Sequence, residues 1–280
     1  MKKLLFIAVL FAFPSVPGRA LAVDAAAVDK CRHELFAGLE ASSSGHVGEL
    51  AQCLLAGKYD GSCPFDDLHT GFDDNELIHQ IAGPASACQA ALASGATIAD
   101  FGPASCANEW GDCDTAVPSI ATLDDLAQCF VCQVRGHDAA LRSVLGIPRP
   151  APTDKDERHC THRIALLVAG TARRAFYDAD TCSAGLTKPY SCPFSTAATS
   201  HFGRALASFT PRIAACGIDD GKSPGVLANI CGGTATNAAE LTTCLESLTR
   251  CLACRSLDSA LGQSDDCAVT SGYADCDGMF

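Results

Sequence analysis

Large aromatic side chains are scarce in this 280-residue chain, with Trp 1, Tyr 4 and Phe 13. Each element therefore has little area to bury, and a core built from these residues is thin. Basic residues are also in short supply, 20 against 32 acidic ones for a formal net charge of −12. That balance argues against a generic nucleic-acid or anionic-membrane binder, which needs a basic face. After the first residues no apolar run approaches the ~20 residues of a membrane span, so no transmembrane segment is expected. No long stretch alternates with period two, so no sheet is expected either. Catalytic signatures are missing as well: there is no G-x-S-x-G, H-E-x-x-H, P-loop or dinucleotide fingerprint. The two C-x-x-C pairs are followed by Gln133 and Arg255 rather than His, which excludes covalent haem. No cofactor is expected.

What the chain does have begins with a leader. Lys2 and Lys3 precede an apolar run from Leu4 to Phe13, Pro14, Pro17 and Gly18 interrupt it, and Ala20-Leu21-Ala22 offers a small-residue cleavage site. Residues 1–22 read as a signal peptide, and the expected location is extracytoplasmic, secreted or periplasmic. The leader takes three basic residues with it (Lys2, Lys3, Arg19), leaving the remainder more acidic still. All 18 cysteines lie beyond it. An even number in an oxidising compartment reads as a disulfide framework.

The cysteines also disclose a repeat. Cys31, Cys53 and Cys63 recur as Cys160, Cys182 and Cys192 at an offset of 129, and in that frame His33 matches His162 and Ser62-Cys63-Pro64-Phe65 matches Ser191-Cys192-Pro193-Phe194. Cys88 answers to Cys216 and Cys106 to Cys231. The pair Cys129/Cys132 matches Cys251/Cys254 at an offset of 122, with Leu123/Leu245 and Leu126/Leu248 alongside. The expected organisation is a first module at 23–146, a linker at 147–156, a second module at 157–262 and a tail at 263–280 bracketed by Cys267 and Cys276. Prolines 148, 150 and 152 favour an extended, semi-rigid linker.

The expected fold class is all-α: two tandem disulfide-stapled modules, each an antiparallel helical hairpin plus a third helix carrying C-x-x-C. Apolar residues at Leu35, Leu39, Val47, Leu50 and Leu54, and at Ile164, Leu167 and Phe176, fall mostly at helical spacing. A second helix is expected to start near Asp73 or Asp74, and third helices to run over 123–145 and 238–261. Pro84 and Pro211 predict a kink or restart. Cys31 and Cys53, 22 residues apart on one helix, would stand about 33 Å apart and cannot pair. Pairs across a hairpin share a midpoint, and this predicts nested rungs Cys53–Cys63 inside Cys31–Cys88, and Cys182–Cys192 inside Cys160–Cys216. Cys267 and Cys276 are expected to pair with each other. Cys106, Cys113, Cys129 and Cys132, and Cys231, Cys244, Cys251 and Cys254, are expected to tie each third helix to the segment before it, with their pairing open.

In the combination C-x21-C-x9-C-P-F, a downstream Cys and a terminal L-x2-C-x2-C, the chain resembles the cysteine-rich helical repeat proteins of secreted type found in deltaproteobacteria. The resemblance covers nearly everything after the leader and rests on cysteine spacing and a few apolar positions. It implies a bacterial extracytoplasmic setting and a duplicated helical module, and it carries no catalytic residues over. An Asp-rich second helix and the Cys267/Cys276 tail depart from the pattern.

Candidate chemistry is sparse. Both C-x-x-C pairs fall inside expected helices, where they read as staples rather than a dithiol at a helix start. His33 and His162, with His159 and His201, lack a converging ligand set for zinc. Asp73, Asp74, Asn75 and Glu76, and Asp265, Asp266, Asp275 and Asp277, lack EF-hand spacing. No metal is expected. Trp110, between Cys106 and Cys113, is a candidate contact residue. These features point to a non-enzymatic structural or binding protein for an unknown protein, surface or small-molecule ligand. The alternatives are a secreted enzyme with its site in the divergent loops or between modules, and a saposin-like lipid-interacting protein.

Overall fold

A computed structural model describes residues 23–61, 74–106, 113–183 and 196–261, together with Cys267 and Cys276. The fold is all-α, and no strand occurs among the described residues. The first half runs α1 (Ala25–Leu55), α2 (Asp74–Ala82), α3 (Ala87–Ala93), a 3-10 turn at Ile98–Asp100, α4 (Cys113–Ala116) and α5 (Leu123–Val144). The second half runs α6 (Lys155–Ser183), α7 (His201–Leu206), α8 (Phe209–Ala214), α9 (Pro224–Asn229), a 3-10 turn at Ile230–Gly233 and α10 (Ala238–Leu261).

Local chemistry sets the ends. The Asp24 carboxylate accepts the Ala26 amide at 3.0 Å to open α1. Thr122 and Asp125 form a reciprocal capping box at the start of α5, satisfying amides that the helix itself leaves orphaned. Ser86 caps α3, and Pro84 occupies the gap between α2 and α3. On the other side, helix stops after Leu206 and restarts at Phe209, which places Pro211 in the first turn of α8, where its missing amide donor costs nothing.

Helices α1 and α6 pack antiparallel along their lengths. His33, early on α1, meets Asp180, late on α6, at 2.9 Å. Mid-helix, Arg173 of α6 reaches both Ser44 and Glu40 of α1. Helix α5 lies against α1 and α2, and α10 against α6, α8 and α5. Buried side chains of both halves join in one cluster: Leu35, Leu39 and Leu50 from α1, Leu126, Phe130 and Leu141 from α5, Ile164, Val168 and Phe176 from α6, and Leu241, Leu245 and Leu248 from α10. Apolar area too small to stabilise either half strongly is thus pooled.

The proline segment differs from the extended spacer that its composition predicts. Ile147 is buried, and the Arg149 amide donates to the Tyr59 carbonyl at 2.7 Å. The Arg149 guanidinium lies 4.9 Å from the Tyr59 ring centroid and pairs with Glu157 of α6 at 3.0 Å. Gly146 makes the approach possible. Its φ is +65°, and a Cβ there would fall 2.5 Å from the Asn229 carbonyl oxygen. The segment is therefore a clip between the two halves.

Disulfides join Cys31 to Cys88 and Cys160 to Cys216, tying α1 to α3 and α6 to the end of α8. Cys53 and Cys182 are also disulfide-bonded; their expected partners Cys63 and Cys192 lie outside the described residues. In the first half Cys106–Cys129 and Cys113–Cys132 fasten α5 to the segment before it. The second half is wired otherwise. Cys231 takes Cys244, so the preceding segment has no cysteine left for Cys251 and Cys254. These bond downstream instead, as Cys251–Cys276 and Cys254–Cys267. This corrects the expected Cys267–Cys276 pair: two cysteines three residues apart share a helix face, and that face draws both tail cysteines onto α10.

Candidate functional site

The features singled out in the sequence do not converge. His33 and His162 lie at opposite ends of the α1–α6 pair, His33 against Asp180 and His162 beside His159 and Arg163. His201 binds Asp178 at 2.8 Å, and the Asp178 carboxylate also accepts the Phe202 amide to cap α7. Asp74 is used internally. Trp110, Asp73 and the tail aspartates lie outside the described residues. Every cysteine of both C-x-x-C pairs is oxidised, and among the described residues no cysteine is free. Among the described residues one group of metal-ligand type converges, Cys254, Asp258 and Cys267, all buried. Its two sulfurs are bonded to each other, so they supply no thiolates for a metal.

The polar centre that the structure does assemble lies where α1, α2 and α5 meet. His46 Nε2 stands 3.3 Å from Asp74 Oδ1, and Arg135 Nε donates to Asp74 Oδ2 at 2.7 Å. Burial works against the Asp74 carboxylate, but the hydrogen bonds from His46 and Arg135 outweigh it and hold the carboxyl below its usual range. One turn away, Ser43 Oγ lies 3.3 Å from His137 Nδ1. His137 is enclosed. Burial, reinforced by repulsion from His46, pushes its pKa down from 6.5 to about 4, so the ring is neutral at pH 7. Asp138 beside it is pushed up by burial, partly countered by Arg142, whose Nε donates to it at 2.7 Å.

These groups contain a serine–histidine contact and a histidine–carboxylate contact, but on two different imidazoles. No single ring links Ser43 to Asp74, so the relay that activates a serine nucleophile is not formed. The cavity at Ser43 and His137, closed by Leu39, Gln133, Val134, Phe176 and Ser256, holds only about 10 Å³. That is room for about one water molecule at most. The cluster can hold three helices in register through its buried hydrogen bonds, and it is placed to respond to acid.

The sequence contained a sign of this centre. Leu39, Ser42, Ser43, His46, Val47 and Leu50 form one buried face of α1, with the small and polar members continuing an apolar stripe at helical spacing. His137 and Asp138 occupy the corresponding buried face of α5. A reading by hydrophobic period passes over both, because it scores such residues as gaps.

Among the described residues, surface concavities include two that adjoin the long helices. One, of about 720 Å³, lies along α5 between Val117, Pro118, Gln128, Val131 and Arg135. The other, of about 290 Å³, lies between α6 and α8. In comparisons with known proteins, no family model, curated sequence or solved structure matches this chain.

Proposed function

We propose that this is an extracytoplasmic, non-enzymatic binding protein: a duplicated cysteine-rich helical module whose disulfides brace a thin core so that it presents a rigid surface to a ligand. One observation carries the reading. The bonded cysteines fasten each long helix to its neighbours at several points, and none among the described residues is left as a thiol. Such bonding belongs to an oxidising compartment. It also restricts the unfolded chain most where the core contributes least.

Supporting it, the leader-like residues 1–22 suit export, and the net charge of −12 suits solubility rather than attachment to anionic surfaces. The histidines with the most altered surroundings are sealed within a helix junction rather than aimed into a cleft. Among the described residues no helix is long and apolar enough to cross a membrane. The exposed large apolar residues Val23, Leu55, Leu166 and Tyr177 are distributed over both ends of α1 and the length of α6, which gives little support to a lipid-coating face.

The test is full reduction and alkylation of the purified chain, followed by circular dichroism and thermal unfolding. Loss of cooperative melting is expected. Retention of the native helicity and melting temperature refutes a disulfide-braced scaffold.

A further inference from the structure

We propose that the slot between α6 and α8 binds the alkyl tail of a fatty acid, with Arg163 and Arg212 holding its carboxylate at the rim. The proposal rests on the binding-protein reading and gives it a ligand class. The slot has an apolar floor of buried Ile164, Leu167 and Ile213, and Leu166, 42% exposed, forms a lip. Its volume of about 290 Å³ is at the lower end for small-molecule sites. That admits one alkyl chain and leaves no room for a two-chain lipid. The Cys160–Cys216 disulfide joins the two walls, so the slot is preformed.

Charge complementarity selects the head group. Arg163 and Arg212 both line the slot and are exposed, and neither guanidinium makes a hydrogen bond or ion pair among the described residues. Two uncommitted guanidiniums beside apolar surface stand out in a chain with 32 acidic residues. A guanidinium fork matches a carboxylate, and an acid with a single tail satisfies both parts of the site.

The matching stretch of α1, 129 residues earlier, shows what fills this position elsewhere. There Leu77 and Gln80 of α2 sit over Gly38, where a Cβ would fall 2.9 Å from Leu77 Cδ1. Glu34 accepts the Ala87 amide at 2.9 Å. In the second half Leu167 stands at the position of Gly38 and Arg163 at that of Glu34. The covering helix is replaced by the shorter α7 and α8. An internally capped carboxylate has become an outward arginine, and a covered face has become an open slot.

Titration of the oxidised full-length protein with dodecanoate, by calorimetry, tests this against dodecyltrimethylammonium, butanoate and anionic phospholipid vesicles. Dodecanoate is expected to bind at least about tenfold tighter than the cationic amphiphile. Each two-carbon shortening of the tail should weaken binding about tenfold. The double variant Arg163→Glu/Arg212→Glu should lose affinity about thirtyfold or more, with circular dichroism unchanged. Should that variant misfold, Leu166→Asp probes the lip alone and is expected to weaken dodecanoate binding. Equal binding of both amphiphiles, undiminished binding by the folded double variant, or binding of vesicles without dodecanoate overturns the proposal. Any of these in a chain whose disulfides and melting are intact leaves the braced-scaffold reading standing.

Discussion

Arg173 Nη1 donates to Ser44 Oγ at 2.8 Å, across an interval of 129 residues. The same interval separates Cys31 from Cys160 and Cys53 from Cys182. Under the duplication proposed above, the two residues occupy one position of the ancestral module. A helix meeting its counterpart at the same position, antiparallel, is the arrangement a two-fold axis produces. Helices α5 and α10, the C-x-x-C helices, also touch. The pairing of halves therefore resembles an isologous dimer joined by the clip at Arg149. Arg173 and its partner Glu40 are about one-third exposed, so water screens the pair. Arg173→Ala should cost about 1 kcal/mol or less. A double-mutant cycle with Ser44→Ala, measured by urea unfolding, should return a non-zero coupling. A zero coupling would show that the contact contributes nothing to the docking of the halves.

Acid should loosen the α1–α5 junction through His137. In the unfolded chain its imidazole takes a proton near pH 6.5, and in the folded chain only near 4. Between those values the unfolded state holds the extra proton, so stability rises with pH across the window and is lost as pH falls through it. At 1.36 kcal/mol per unit, the contribution is at most about 3 kcal/mol. Asp138, pushed up by burial, opposes this slope because its folded form holds the extra proton. The informative quantity is therefore the difference between wild type and His137→Gln. Unfolding free energies at pH 4.5 and 7 should show a smaller loss in the variant. Equal losses would place the acid sensitivity elsewhere.

The cysteine frame made much of the architecture legible. Cys31 and Cys53 could not meet across a helix of about 33 Å, which left a hairpin as the way to reach Cys88. The C-x-x-C helices expected over 123–145 and 238–261 run Leu123–Val144 and Ala238–Leu261. Three things were not readable. The proline segment has a composition that favours extension, and it takes the Tyr59 carbonyl and ring, 90 residues earlier, together with Glu157 of α6 to turn Arg149 into a clip. The His46–Asp74–Arg135 centre draws on three helices, and no local pattern couples them. The tail wiring depends on Cys231 taking Cys244, and Cys231 sits in a turn with φ 57° that no spacing of cysteines announces.

That wiring yields a direct test. Cys254 bonds Cys267 and Cys251 bonds Cys276, so Cys267→Ser should expose Cys254 to alkylation and leave Cys276 oxidised. Peptide mapping after labelling under denaturing, non-reducing conditions reads the result. Labelling of Cys276 instead would mean that the tail closes on itself. Loss of this bond, which spans 13 residues, should destabilise the protein by about 3 kcal/mol in the chain-entropy model.

Two glycines should respond with opposite signs. Gly170 lies in mid-α6, and a Cβ there meets nothing within 4 Å. Gly170→Ala should therefore stabilise the chain by about 0.5–1 kcal/mol, since alanine loses less backbone entropy in a helix. Gly225, in the first turn of α9, faces the Glu157 carboxylate so closely that a Cβ would collide with it. Glu157 cannot retreat freely, because its side chain is 11% exposed and binds Arg149. Gly225→Ala should displace that carboxylate, weaken the clip between the halves and cost about 1–3 kcal/mol. Combining it with Glu157→Gln should give less than the sum of the separate losses, because both act on one contact. Denaturant midpoints at unchanged m-value report all four variants, the Glu157→Gln single included. A strictly additive double variant would mean that Glu157 is not seated against Gly225 and that the two substitutions act on separate contacts.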